Sequence, residues 1–316
     1  MPLPTPLGVL MPMGSDRQPE LYPWQRRDPD VILRMMPLWG WLYRHYFRVE
    51  TSGWQHVPPS GQVMFVGSHN GGLASPDLPM FLYDWFRRFG TERKVFGLAH
   101  RRVWDVFPVL SQLAAAAGAI PFYPRNALAV LEAGDSLLVY PGGGQDAFRP
   151  HHLRGRICLE GRTGFLRLAI WYGLPIIPLI SWGSHDTLYV LEDFYAAFST
   201  LHKWGMPWLF GHDPVVMPLY LGLPWGLALG PLPNIPLPAK IHTRVCAPIR
   251  FDRTGHEASR DRAYVQACYQ RVVDAMQREL DELQAEVRGE AIPSPPVPST
   301  VGVEHPVGNP AHPPGS

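Results

Sequence analysis

His69 is delivered by an apolar run into a glycine-rich turn. In VMFVGSHNGGLASPDLPM, residues 63–80, the run ending in Val66-Gly67 reads as a buried strand that breaks into Ser68-His69-Asn70-Gly71-Gly72. Just beyond, Ser75-Pro76-Asp77 has the grammar of a helix start, with Ser75 as N-cap and Pro76 at the first helical position, where its missing N–H costs nothing. The unit is a strand, a loop carrying an imidazole, and a helix that opens with a carboxylate. In open α/β sheets reactive groups collect on such loops at the carboxyl ends of strands, so chemistry is expected at His69. The alternative is a loop histidine bonded to backbone.

A second block, YPGGGQDAFRP at residues 140–150, follows another apolar run. Gly142, Gly143 and Gly144 let the backbone approach a ligand closely and present N–H groups, while Arg149 adds a planar cationic fork and Asp146 a carboxylate. Arg125, in GAIPFYPRN, is the other cation expected at a carboxyl strand end on the face that bears His69. Either arginine can pair bidentately with a phosphate, or with a nearby carboxylate such as Asp135 or Asp146.

Other chemistries lack their residues. The glycine spacing matches neither a dinucleotide fingerprint nor a phosphate-binding P-loop. Gly67-Ser68-His69-Asn70-Gly71 is not the serine nucleophile elbow. There is no His-Glu-x-x-His, and His151-His152 are adjacent. Cys158, Cys246 and Cys268 are too scattered for a disulfide framework or a zinc site and read as reduced core thiols, which suits a cytosol-facing protein. A net charge of +1 without a basic stripe excludes bulk nucleic acid as a partner.

The elements that must position these residues alternate along the chain. Short apolar strands at 63–67, 94–99, 119–122, 136–140 and 174–180 are separated by helices at 77–89, 104–117, 127–133 and 161–172. That alternation predicts an α/β fold with a mostly parallel central sheet and helices on both faces. A further strand at 241–249 and a long helix at 259–287 close it. Proline- and glycine-rich segments at 1–27 and 289–316 are expected to be disordered tails, which leaves one domain at 28–288. The N-terminus has no basic region of the secretory kind.

Four blocks in order, GSHNGGLASPD, GAIPFYPRN, YPGGGQDAFRP and LPIIPL, make the chain resemble the lysophospholipid (glycerolipid) acyltransferase superfamily, in particular the branch related to diacylglycerol acyltransferases. The resemblance covers about residues 28–282. It implies transfer of a fatty acyl group from an acyl thioester, acyl-CoA or acyl carrier protein, to a lipid hydroxyl on diacylglycerol, a lysophospholipid or a long-chain alcohol. It also implies His69 as general base and Asp77 as the carboxylate orienting it, with no cofactor beyond the donor substrate. Seven residues lie between His69 and Asp77, more than is commonest in the family, and Asp146 is the rival orienting carboxylate. The third block has Pro141-Gly142-Gly143 where Pro-Glu-Gly is common, which favours a neutral acceptor. A catalytically silent lipid-binding protein on the same scaffold is the alternative.

Two stretches suggest peripheral or monotopic contact with the cytoplasmic face of a membrane. An amphipathic helical element over 30–48 carries Trp39, Trp41 and Tyr43 among arginines, too interrupted for the about 20 apolar residues of a span. Residues 214–239 contain no charge but many prolines, so an apolar lid or acyl-chain channel near Trp204 and Trp225 is expected there rather than a spanning helix.

Overall fold

The computed structural model describes residues 23–99, 108–209 and 211–290. The expected tails at 1–22 and 291–316 lie outside these. Residues 23–27, grouped with the first tail, belong to the folded unit: Pro23–Arg26 form a 3-10 turn, and Arg27 lies over the Phe86 ring and donates to the Thr91 carbonyl.

β2 (Met64–Gly67) is at the centre because all four of its residues are apolar or glycine and fully buried. It lies in a seven-stranded sheet with β1 (Glu50–Ser52), β3 (Val95–Ala99), β4 (Ala119–Pro121), β5 (Ser136–Val139), β6 (Ile176–Trp182) and β10 (His242–Val245), ordered β1-β10-β6-β2-β5-β3-β4. Every pairing is parallel except β10 with β6. Alternation along β2 feeds two cores. Phe65 packs with Trp85, Phe81 and Ile32 beneath α1 (Pro29–Trp41) and α2 (Asp77–Phe89). Met64 and Val66 face the opposite layer, built from α4 (Pro124–Glu132), α6 (Gly164–Tyr172) and the long α9 (Arg262–Arg288). α3 (Pro108–Ala116) precedes β4. Residues 104–107 of the expected 104–117 helix fall outside the description. The expected closing helix is two: α8 (His256–Arg260) ends at Asp261, whose side chain then caps α9 by accepting from the Tyr264 N–H.

In α1, Asp28 caps the start by accepting from the Asp30 and Val31 amides, Pro29 takes the first position, and the helix passes through Pro37 before loosening into a π turn at Leu42–Tyr46. Two of the three aromatic residues expected at a membrane are core residues instead. Trp39 stacks on Phe86, Tyr43 packs at a tilt against Tyr83, and Trp41 alone of the three is exposed.

The charge-free stretch, where an apolar lid or acyl-chain channel is expected, supplies two strands of a small antiparallel sheet. β7 (Tyr189–Asp193), β8 (Pro218–Gly222) and β9 (Gly226–Leu229) pair in that order, with α7 (Tyr195–Lys203) between β7 and β8. Its inner face, Val190, Tyr220 and Ala228, packs on Phe148 at the end of α5 (Gly143–Ala147). Among the described residues, no helix is long and apolar enough to cross a membrane.

Candidate active site

Because β5, β2 and β6 are parallel neighbours, the loops leaving their carboxyl ends converge: Ser68–Gly72 after β2, Pro141–Gly144 after β5 and Gly183–His185 after β6. His69 stands at the centre of these, partly exposed, its ring stacked on Tyr140 at 4.5 Å between centroids. The ring Nδ1 lies 3.1 Å from the Ser75 Oγ, and that hydroxyl donates its proton to the Gly72 carbonyl at 3.0 Å. A hydroxyl has one proton, so the Ser75 oxygen accepts from Nδ1–H. The tautomer is thereby set, and Nε2, which has no protein partner among the described residues, carries the free lone pair. Burial, and secondarily the positive Arg149, lower the His69 pKa to about 4, so the imidazole is neutral at physiological pH. The arrangement can accept a proton at Nε2.

Ser75 therefore does something other than the capping expected of it. Its backbone is left-handed (φ 36°), which turns Oγ back to the histidine loop, and α2 begins at Asp77. Asp77 is buried. Its Oδ2 accepts from Asn70 Nδ2 at 3.1 Å, and Oδ1 is buried without a partner. Burial raises its pKa to about 6 against the Asn70 bond. The bond that was expected from Asp77 to the imidazole is made by Ser75, because the extra residues between His69 and Asp77 form a 3-10 turn, Gly72–Ala74, that brings the serine under the ring.

Asp146 holds the loop from the other side. Its carboxylate accepts from the Ser68 hydroxyl at 2.9 Å, the His69 backbone N–H at 2.5 Å and Arg149 Nη1 at 2.8 Å. Burial pushes its pKa up to about 7, with Arg149 the largest cause opposing it. Asp146 thus grips the backbone of His69, not its ring. Arg149, expected to face a phosphate, is only 5% exposed. Its Nη1 also donates to the His69 carbonyl at 2.6 Å and its Nη2 to Asn70 Oδ1 at 2.5 Å. The guanidinium is a clamp between α5 and the histidine loop, and the carboxylate pairing with Asp146 is the one that occurs.

The three glycines are likewise taken up by packing. A Cβ on Gly142 would lie 2.1 Å from the Cys158 carbonyl oxygen; one on Gly143, at φ 58°, would strike the Arg162 guanidinium, which donates to the Pro141 carbonyl and to Gln145; one on Gly144 would touch Val216. Protein, not open space, fills the gap left by the missing side chains at Gly142 and Gly143. Arg125 is exposed at the start of α4, over the Tyr123 ring at 5.3 Å, in no ion pair among the described residues.

Several residues of the site went unread in the sequence. His185 is buried just past the end of β6; its Nδ1 accepts from the Gly71 amide, so Nε2–H donates to the Arg149 carbonyl at 2.8 Å. Burial, then Arg149, lower its pKa to about 3. A histidine just beyond a predicted strand end was the available signal. Asn234, distant in the chain, donates to the Gly71 carbonyl at 3.0 Å and accepts from the Ala74 amide at 3.2 Å. Nothing local marks it. Tyr140 keeps its hydroxyl proton, its pKa raised by burial and then by Asp77 and Asp146. No group of acids, histidines or cysteines among the described residues could hold a metal ion.

Comparisons with known proteins place the chain near acyltransferases. The acyltransferase family model matches residues 48–182, from just before β1 through β6. An uncharacterized protein of Mycobacterium tuberculosis is 28% identical over 204 residues, 65% of this chain and 52% of that protein, and one of Mycobacterium leprae is 27% identical over 213 residues. The 2-acylglycerol O-acyltransferase 1 of Mus musculus is 22% identical over 158 residues, 48% of this chain and 46% of the relative. The chain spans about half the length of the curated relatives it matches. The crystal structure of the 1-acyl-sn-glycerophosphate acyltransferase PlsC from Thermotoga maritima aligns with a TM-score of 0.47 and 16% identity, covering 81% of this chain and 79% of that one.

Proposed function

We propose that the chain, which an acyltransferase family model matches over residues 48–182, is a member of the glycerolipid acyltransferase superfamily and a membrane-associated O-acyltransferase that moves a fatty acyl group from an acyl thioester to a lipid hydroxyl. The observation that carries the reading is the set tautomer of His69: Ser75 holds Nδ1–H and Nε2 is free to take a proton. The acceptor hydroxyl gives its proton to Nε2 as its oxygen attacks the thioester carbonyl carbon. The C–S bond breaks, and the leaving thiolate recovers the proton from the imidazolium, so ester and thiol are the products. Positioned proton removal of this kind is typically worth about 10²–10⁴-fold.

In this reading Asp77 contributes charge to the imidazolium rather than a direct bond to the free ring, and its unpartnered Oδ1 has the acceptor capacity for it. Ser68, Asp146, Arg149, Asn70 and Asn234 hold the loop in place. Arg125, exposed and in no ion pair, is the cation available to a donor phosphate of coenzyme A or phosphopantetheine. Diacylglycerol, monoacylglycerol, lysophospholipids and long-chain alcohols are the acceptors to try.

The test is thiol release from acyl-CoA and acyl carrier protein donors by purified protein, with and without each lipid alcohol. Release that rises with one acceptor, yields the matching ester and vanishes in His69→Ala supports the assignment. Binding of the lipids with no acceptor-dependent turnover for any donor would establish the silent binding protein instead. That second reading draws on the low pKa of His69 and the absent bond to Asp77.

A further inference from the structure

The small sheet β7-β8-β9 is covered on its inner face, and its outer face is apolar along β8 and β9, with one exposed acid, Glu192 opposite Leu219, at the β7 edge. Strand alternation sends Val190, Tyr220 and Ala228 inward and leaves Tyr189, Leu221, Leu227 and Leu229 outward, all four exposed, with Leu227 63% exposed. An antiparallel sheet that faced water on this side would alternate to polar residues there. Trp225, at the hairpin tip and 52% exposed, donates its indole N–H to the Pro233 carbonyl at 2.6 Å. Its ring can therefore enter an apolar phase without stranding a donor.

This face continues onto the first helix. Leu223 bonds with Ile235, the adjoining Pro236 carbonyl accepts from the Tyr46 hydroxyl at 2.8 Å, and Tyr46 lies against Trp41 at 6.2 Å between ring centroids. Leu223, Ile235, Trp41 and the neighbouring Leu38 are all exposed. Residues 214–239 carry no charge, whereas Arg34, Arg44 and Arg48 stand exposed beside Leu38 and Trp41, in no ion pair among the described residues. Apart from Arg48, both contributors lie outside the segment matched to the family, residues 48–182.

We propose that this combined surface, the outer face of β7-β8-β9 together with the Leu38–Trp41 end of α1, docks on an anionic phospholipid bilayer. It rests on the membrane-associated reading above and replaces Trp39 and Tyr43 as the contact. An apolar aromatic surface seats in the interface, and unpaired arginines at its rim meet anionic headgroups. The docked sheet is also one layer from the site: Leu188, which leads into β7, packs against Gly72, and Asn234 beside Ile235 bonds Gly71 and Ala74. A lipid acceptor would thus enter beside the histidine loop.

The experiment is flotation of the full chain with phosphatidylcholine vesicles, with and without phosphatidylglycerol, in the absence of substrate. Binding is expected to need the anionic lipid. Leu221→Glu with Leu227→Glu should lower the partition at least about tenfold, and Arg34→Gln with Arg48→Gln roughly 30-fold, about fivefold per arginine. His69→Ala should float like the parent, which separates docking from catalysis. If the glutamate pair does not fold, an environment-sensitive fluorophore at Leu227→Cys in a Cys158→Ser chain replaces it. Its emission should shift to the blue on adding vesicles, while the same label at Arg278→Cys on α9 does not shift. Unchanged flotation of the glutamate variant, or no shift at Leu227→Cys, overturns the proposal. So does a concentration-dependent dimer that the glutamate pair dissociates without altering flotation, which would make the face a contact between two copies.

Discussion

At the level of single residues, His69 and Ser75 make one hydrogen-bonded pair, and in the proposed reaction their effects should be separable from those of Asp77. His69→Ala should lower turnover by about 10²–10⁴-fold with the fold intact; a well-folded variant within tenfold of the parent would remove His69 as the base. Ser75→Gly keeps the left-handed backbone and deletes the oxygen that accepts from Nδ1–H. The ring then loses its preferred tautomer and orientation, and a drop in turnover of roughly 10-fold or more with little change in the Michaelis constants is expected. A near-normal Ser75→Gly would mean that another group orients the imidazole. The pH profile distinguishes the two acids. With His69 at about 4 and Asp77 at about 6, the acid limb of kcat/KM falls near pH 6 if the Asp77 carboxylate must be ionised, and near pH 4 if only a neutral imidazole is required. In the first case Asp77→Asn should cripple the rate and abolish the pH 6 limb. A limb near pH 4 with an active Asp77→Asn would end its candidacy, and Asp146, which bonds the backbone N–H of His69 and not its ring, would not inherit it.

Elements decide what Arg149 does. The residue ties α5 to the histidine loop through the His69 carbonyl, Asn70 and Asp146, so Arg149→Ala leaves the Asp146 carboxyl buried without its cation. Removing one partner of a buried pair typically costs about 3–5 kcal/mol, which for a domain of this size lowers Tm by roughly 6–20 °C at about 2–4 °C per kcal/mol. A near-native Tm together with a raised Michaelis constant for the coenzyme A thioester, but not for a short thioester, would restore the phosphate role. The same scale shows what the sequence could reveal. The strand-loop-helix unit around His69, the glycine block and the parallel sheet were legible because buried parallel strands are short continuous apolar runs broken by glycine and proline. The sheet at 189–229 was not, because β8 and β9 are apolar on both faces and show no alternation, and the prolines around them read as breakers. In α1 the helical period was equally uninformative: Ile32 and Trp39 lie on one side and Leu33 and Trp41 on another, both apolar, and only the packing against Phe86 tells which is inside. Ser75, His185 and Asn234 escaped for a different reason, since their roles are bonds to loops whose conformations no local pattern encodes.

Across the whole molecule, the site is a buried set of titrating groups whose linkages to folding oppose one another. His69 and His185 have pKa values lowered to about 4 and about 3, so each contributes stability present above the unfolded value of about 6.5 and lost as pH falls through the folded one. Asp77 and Asp146 are raised to about 6 and about 7, so their contributions are present below about 3.8 and lost as pH rises through 6 and 7. From pH 8 to 5 the unfolded chain gains protons on the two histidines while the folded chain gains them on the two carboxyls. The uptakes nearly match, and the four groups together should leave stability almost flat across that window. Deleting one histidine breaks the match. In the parent, keeping His69 neutral at pH 5 costs about 2 kcal/mol relative to pH 8, a cost His69→Ala does not bear. The Tm of His69→Ala, referred to the parent at each pH, should therefore rise by roughly 4–8 °C as pH falls from 8 to 5. His185→Gln should move the same way by a similar amount, because its lowered pKa has the same dominant cause, burial. A Tm difference between His69→Ala and the parent that stays constant over that range would show that His69 takes up its proton in the folded protein as readily as in the unfolded chain, and would return the base to an ordinary, solvated histidine.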